Sequence, residues 1–150
     1  RDDAEFYLAL NPGEPMKALG NIASGGELSR IMLALKAVLA DEEDTPTLIF
    51  DEIDAGISGI TAGKVAEKLR LIGKSRQVIC ITHLPQIAAA ADVHFVIKKE
   101  AEDNSVQTRI HLLDEEESVG ELARLLGGAS VTEHIRESAK EMKELAKSET

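Results

Sequence analysis

Two short apolar runs, Thr47-Leu48-Ile49-Phe50 and Val78-Ile79-Cys80-Ile81, constrain the fold more than any other feature of the chain. Each has the length of a strand and lacks the polar alternation of a half-solvated one, so each reads as a strand buried on both faces. Between them Ala62, Val65, Ala66, Leu69 and Ile72 recur at helical spacing, and Gly73 stops the pattern. Buried strands joined by helices imply a parallel sheet covered by helices. Ligands of such sheets sit at the carboxyl ends of the strands. Here those ends are Asp51-Glu52 and Thr82-His83.

The flanking sequence fills in the rest. Phe6, Leu8 and Leu10 alternate with Tyr7 and Ala9 as in a half-buried strand, ended by Asn11-Pro12-Gly13, and a loop runs to about Gly20. Ser24-Gly25-Gly26-Glu27 has the form of a capping box. It precedes Leu28, Ile31, Met32, Leu35, Val38 and Leu39, which predict a helix from about Glu27 to Ala40. Asp41–Asp44 and Pro46 form a solvated turn. Leu84 to Ala91 reads as a short helix. Val93–Ile97 and Val106–Leu112 read as strands around a polar turn at Glu102–Ser105. Two helices close the chain, with capping boxes at Ser118/Glu121 and Ser130/Glu133, Gly127-Gly128 between them, and a stripe of Ile135, Ala139, Met142 and Leu145. No internal repeat is visible, and the expectation is one α/β domain over residues 1–150.

Composition narrows the function. A chain of 150 residues buries roughly two-thirds of its unfolded surface, and 43% hydrophobic residues suffice to fold it. Its 27 acidic and 17 basic side chains leave a charge of −10, which argues against the bulk surface being a nucleic-acid footprint. The single cysteine, Cys80, excludes an internal disulfide framework and a Cys-rich zinc site. No apolar run approaches the roughly 20 residues of a membrane span. The chain starts at Arg1 within what reads as a strand, so it is expected to be a piece of something longer.

Several residues carry chemistry. An apolar run ending in Asp51-Glu52 has the layout of a Walker B segment: a carboxylate at a strand end suits Mg²⁺, and its neighbour, on the other face, can polarise a water. The competing reading is a strand that ends in a solvated acidic turn. Ser24-Gly25-Gly26-Glu27 offers backbone N–H groups and a helix dipole to a phosphate, with glycines that let a ligand approach; a simple helix cap fits the same residues. His83 is either a phosphate contact or a turn histidine. His94, His111 and His134 show no metal-ligand spacing. Gly59–Val65 has the outline of a P-loop, but it is one residue short and lacks the Ser/Thr after Lys64.

In order along the chain, A-S-G-G-E-L-S-R at 23–30, T-L-I-F-D-E-I-D at 47–54, A-G-I-S-G at 55–59 and I-C-I-T-H-L-P-Q-I-A at 79–88 form a specific set. It resembles the C-terminal half of an ATP-binding-cassette ATPase head, and within that superfamily the RecN family of bacterial DNA-repair proteins, relatives of the SMC proteins. The likeness extends to the L-L-G-G segment at 125–128. It implies an α/β C-terminal lobe, a largely parallel sheet flanked by helices with a helical end, and ATP and Mg²⁺ as cofactors. Ser24, Gly25, Gly26 and Glu27 would be the signature motif, contacting the γ-phosphate of ATP held by a second head. Asp51 would face the magnesium, Glu52 would be the catalytic carboxylate, and His83 the γ-phosphate switch. Ala55, Gly56, Ile57 and Ser58 would be the D-loop at the dimer interface, with Ser58 in place of the usual aspartate.

The resemblance further implies that the P-loop lies in an N-terminal half, beyond a long coiled coil, so that this chain alone is inactive. Its implied partners are that half, a second head, and double-stranded DNA or DNA ends, in the cytoplasm at the nucleoid and without a membrane. An SMC-type chromosome-organising head is the alternative. A transporter nucleotide-binding subunit fits less well, because its signature and P-loop share one continuous domain.

Overall fold

The computed structural model describes residues 5–9, 13–21, 24–39, 45–102 and 105–148. Leu10, Asn11, Pro12, Ala40, Asp41–Asp44, read from the sequence as a turn, and Asp103-Asn104, from the expected polar turn at Glu102–Ser105, lie outside the described residues. The chain divides into two compact units, Arg1–Ile57 with Leu71–Thr82, and Ser58–Arg70 with His83–Thr150.

In the first unit, β1 (Tyr7–Leu8) pairs antiparallel with β2 (Lys17–Ala18), and a 3₁₀ turn follows at Leu19–Asn21. The segment read as a loop to Gly20 therefore holds a strand and a helical turn. Helix α1 (Gly25–Val38) starts two residues ahead of the expected Glu27, because Ser24 takes the N-cap and the glycines occupy the first turn. Next, β3 (Thr47–Phe50) pairs in parallel with β4 (Gln77–Cys80), in register from Thr47↔Gln77 to Phe50↔Cys80. Gln77 N–H donating to the Pro46 carbonyl and Ile81 N–H donating to that of Phe50 extend the ladder at each end, at 2.9 and 3.0 Å.

Burial in this unit departs from expectation. Leu48 and Phe50 are buried, but Ile49 is 68% exposed, and Ile79 and Ile81 are exposed as well. The sheet is thus covered on one face only. On α1 the buried apolar side chain is Leu33, which lies outside the expected stripe, whereas Leu28, Met32, Val38 and Leu39 are exposed.

Helix α2 (Gly59–Gly73) has residues in both units, and all five stripe positions, Ala62, Val65, Ala66, Leu69 and Ile72, are buried as the periodicity requires. In the second unit α3 (Pro85–Ala89) is shorter than the expected 84–91. The strands expected at Val93–Ile97 and Val106–Leu112 are β5 (Phe95–Glu102) and β6 (Ser105–Leu112), which pair antiparallel with each other. Among the described residues parallel pairing is confined to β3 and β4. Helices α4 (Glu115–Gly127) and α5 (Glu133–Ser148) pack on α3 around Ala88, Ala89, Leu122, Ala123 and Ala139.

The caps of these last helices differ from the sequence reading. Asp114 and Glu117 form the capping box of α4, each side chain accepting from the other's backbone N–H at 2.8 and 2.9 Å. Ser118 is consequently inside the helix. The Thr132 hydroxyl, rather than Ser130, accepts from Ile135 N–H at the start of α5.

Candidate functional site

The site grows from the exit of β3. Asp51 follows the last ladder residue, and its Oδ1 accepts from Glu52 N–H at 2.8 Å, which folds the side chain back over the turn it opens. Glu52 is then driven into the left-handed region, with φ of 57°. For a residue with a Cβ that conformation is sparsely populated and persists only where its surroundings impose it. Ala55 N–H donates back to the Glu52 carbonyl at 3.0 Å and closes the turn, while Ile53 points inward and is fully buried. Both carboxylates, Asp51 and Glu52, stay exposed at the strand end.

Helix α1 supplies the second segment. Ser24 has extended backbone angles, and its Oγ accepts from Glu27 N–H at 3.3 Å, which satisfies one of the helix's orphan donors. A Cβ built on Gly25 would overlap Glu52 Oε2. One on Gly26 would lie 2.8 Å from both the Ala55 Cβ and the Glu52 carbonyl oxygen. The glycines were expected to admit a ligand. In the structure they admit the chain's own Glu52–Ala55 turn, so signature-like segment and acidic turn form one packed body.

Three side chains tie this body together, of which the sequence reading marks only Thr82, as part of a strand end, and assigns a role to none. Ser29 Oγ donates to the Asp51 carbonyl at 2.7 Å. Arg30 Nη1 donates to the carbonyls of Ile53 and Ala55 at 3.1 and 2.8 Å. Thr82 Oγ1 donates to Asp54 Oδ2 at 2.6 Å, and Asp54 is only 5% exposed. Ser29 and Arg30 sit inside the quoted motif; their partners are main-chain carbonyls, which leave no trace in a side-chain pattern. A further acid, Asp54, two residues beyond Glu52 was a signal the sequence did offer.

The first unit thus brings together Ser24, Gly25, Gly26, Glu27, Asp51, Glu52, Ala55, Gly56 and Ile57. Ser58 and His83 belong to the second. There the Ser58 carbonyl accepts from Ala62 N–H at 2.9 Å and opens α2, and His83 is exposed just ahead of α3. Among the described residues no three His, Cys, Asp or Glu side chains converge on a metal position. Asp51 therefore offers one exposed carboxylate, which fits Mg²⁺, an ion held through one or two carboxylates with waters and substrate phosphates. The Cys80 thiol is pushed up to about 12 by burial first and then by the charges of Asp54 and Asp51, so little of it is thiolate near neutral pH. No helix of the described residues is long and apolar enough to cross a membrane.

No family model matches the chain. It is 50% identical over 147 residues to the DNA repair protein RecN of Halalkalibacterium halodurans, covering 98% of this chain and 26% of that protein. The chain is homologous to part of RecN. RecN of Bacillus subtilis is 45% identical over 141 residues, covering 94% of this chain and 24% of its own length. RecN of Treponema pallidum is 52% identical over 127 residues, covering 85% and 22%. The chain thus spans about a quarter of the length of the curated RecN proteins it matches. Among solved structures, a chain described under the ATP-driven dimerization and DNA-stimulated activation of SMC ATPases aligns with a TM-score of 0.53 at 22% identity, over 85% of this chain and 83% of its own. That likeness is one of fold, α/β in both.

Proposed function

We propose that this chain is the signature- and Walker-B-bearing part of an ATP-hydrolysing head of RecN type, which engages a second head through bound ATP and serves DNA double-strand-break repair. The observation that carries the reading is the Asp51-Glu52 turn: two exposed carboxylates at a parallel strand end, the second in a left-handed backbone conformation backed by the glycines of α1. Backbone strain of this kind gathers at functional sites.

Each residue then has a task. Glu52 orients the attacking water and takes its proton as general base. Asp51 would hold Mg²⁺, which would supply positive charge to offset that of the phosphate oxygens. Ser24, Gly25 and Gly26 present the N-terminus of α1 to the γ-phosphate of ATP on the opposite head, with Glu27 donating its N–H to the cap. Ala55, Gly56, Ile57 and Ser58 line the head-to-head interface, and His83 senses the γ-phosphate. Engagement is differential, because these groups find a partner only while the γ-phosphate is present.

The P-loop part of the head packs over the uncovered apolar surface. Ile49, Ile79 and Ile81 on the sheet and Leu28, Met32, Val38 and Leu39 on α1 support this, since parallel sheets are ordinarily covered on both faces. DNA is held by the complete protein; the −10 charge of this chain supports this, since it argues against the bulk of its own surface as the footprint.

The test is turnover. The 150-residue chain alone should hydrolyse ATP negligibly, for want of a P-loop cradle and its lysine. Addition of the P-loop-bearing part of a RecN protein should restore magnesium-dependent hydrolysis. Robust hydrolysis by the chain alone would refute the reading.

A further inference from the structure

A buried carboxylate is costly unless hydrogen bonds compensate it. Asp54 is buried, and nothing in the hydrolytic scheme above uses it. The 2.6 Å bond from Thr82 has the length of a charge-assisted O–H···O⁻ contact and joins residues 28 apart in sequence. Its two ends matter. Asp54 stands two residues after Glu52, within the turn that Ala55 N–H closes on the Glu52 carbonyl. Thr82 follows Ile81, whose N–H completes the β4 ladder on Phe50, and immediately precedes His83.

The turn is already gripped from one side, by Arg30 on the carbonyls that flank Asp54. Thr82 grips it from the other. Arg30 fixes the path of the main chain, but neither of its bonds defines where the turn stands relative to β4. The Thr82 bond does, as a direct side-chain tie between the strained Glu52 turn and the strand that leads to His83.

We propose that Asp54 and Thr82 are positioning residues for hydrolysis: their buried hydrogen bond locks the Glu52 turn to the carboxyl end of β4. The proposal rests on Glu52 being the hydrolytic carboxylate. A displacement of about 1 Å at such a group costs up to ~10²-fold in rate, whereas nucleotide binding, which depends on the P-loop part, is untouched.

The experiment uses the complete head, with Thr82→Val, Thr82→Ser, Asp54→Asn and, as reference, Glu52→Gln. Thr82→Val should lower kcat by roughly 10- to 100-fold with KM for ATP within about twofold, and Thr82→Ser, which keeps the hydroxyl, should restore most of the turnover. A second readout needs no activity. Cys80 is the chain's one cysteine and feels the Asp54 charge, so its alkylation rate at alkaline pH reports that carboxylate. Asp54→Asn should speed alkylation; Thr82→Val should move it the same way, and Thr82→Ser should leave it slow. If Thr82→Val does not fold, Thr82→Ala carries the same comparison.

Wild-type kcat in Thr82→Val, in a head where Glu52→Gln abolishes hydrolysis, would overturn the proposal, as would equal losses in the Val and Ser variants. Undiminished hydrolysis in Glu52→Gln would overturn the assignment of Glu52 instead, and the alkylation series would still decide whether the bond sets the Asp54 position.

Discussion

Gly25 and Gly26 are neighbours in sequence but differ in what stands against them. The atom facing Gly25 is the tip of the Glu52 side chain, which can swing away; the atoms facing Gly26 are main chain of Glu52 and Ala55 and the Ala55 Cβ, which cannot. Gly25→Ala should therefore cost little stability, since the helix gains about 0.5–1 kcal/mol from Gly→Ala exchange. Gly26→Ala should cost about 1–3 kcal/mol, the range for overpacking a closed contact. Urea unfolding of the two variants checks this, and equal midpoints would show that α1 does not rest on the turn as described. The Ser24 cap and the Asp51-Glu52 strand end could be read from the sequence because each pattern is local. The bonds of Arg30 and of the Thr82–Asp54 pair could not, because their partners stand 23 to 28 residues away.

Among the elements, α2 shows where periodicity suffices: its five apolar positions are spaced as one face, and all five are buried. For α4 it did not. Asp114 and Ser118 both stand three residues before a glutamate, and the earlier box formed, which leaves Ser118 buried and sharing a 2.8 Å hydrogen bond with His94 Nδ1. That bond couples the entry of β5 to α4, and it is sensitive to pH. Burial foremost, and then the Lys143 ammonium, hold His94 below its ordinary 6.5, against a smaller opposing pull from Glu121. A histidine whose pKa is depressed by folding contributes stability that is complete above about pH 6.5 and is lost as pH falls, because the unfolded chain then binds more protons. Thermal unfolding should therefore occur at lower temperature at pH 5 than at pH 7.5, and His94→Gln should flatten that difference. An identical pH dependence in wild type and variant would contradict it. The two later strands were legible in existence but not in extent: the apolar pattern covers Val93–Ile97, whereas the ladder of β5 with β6 runs on to Glu102 through charged residues.

For the whole molecule, the two units carry much exposed apolar surface. On the first it lies over the sheet and α1, where both had been expected to be covered. Local pattern identified which residues are apolar, but burial depends on what packs against them, and the chain spans about a quarter of the RecN proteins it matches. The central claim is that Ser24-Gly25-Gly26 acts on ATP held by another head. Ser24→Arg removes an N-cap worth about 1 kcal/mol and sets a long cation at the end of α1, so a head carrying it should fold and bind ATP yet neither dimerise nor hydrolyse. The decisive measurement is ATPase activity when this head is mixed with a head that lacks the P-loop lysine. One composite site in the mixed dimer joins the intact P-loop of the first to the intact Ser24 segment of the second, so partial recovery of turnover is predicted. Hydrolysis at the unmutated rate by the Ser24→Arg head alone, or no recovery on mixing, would contradict the claim.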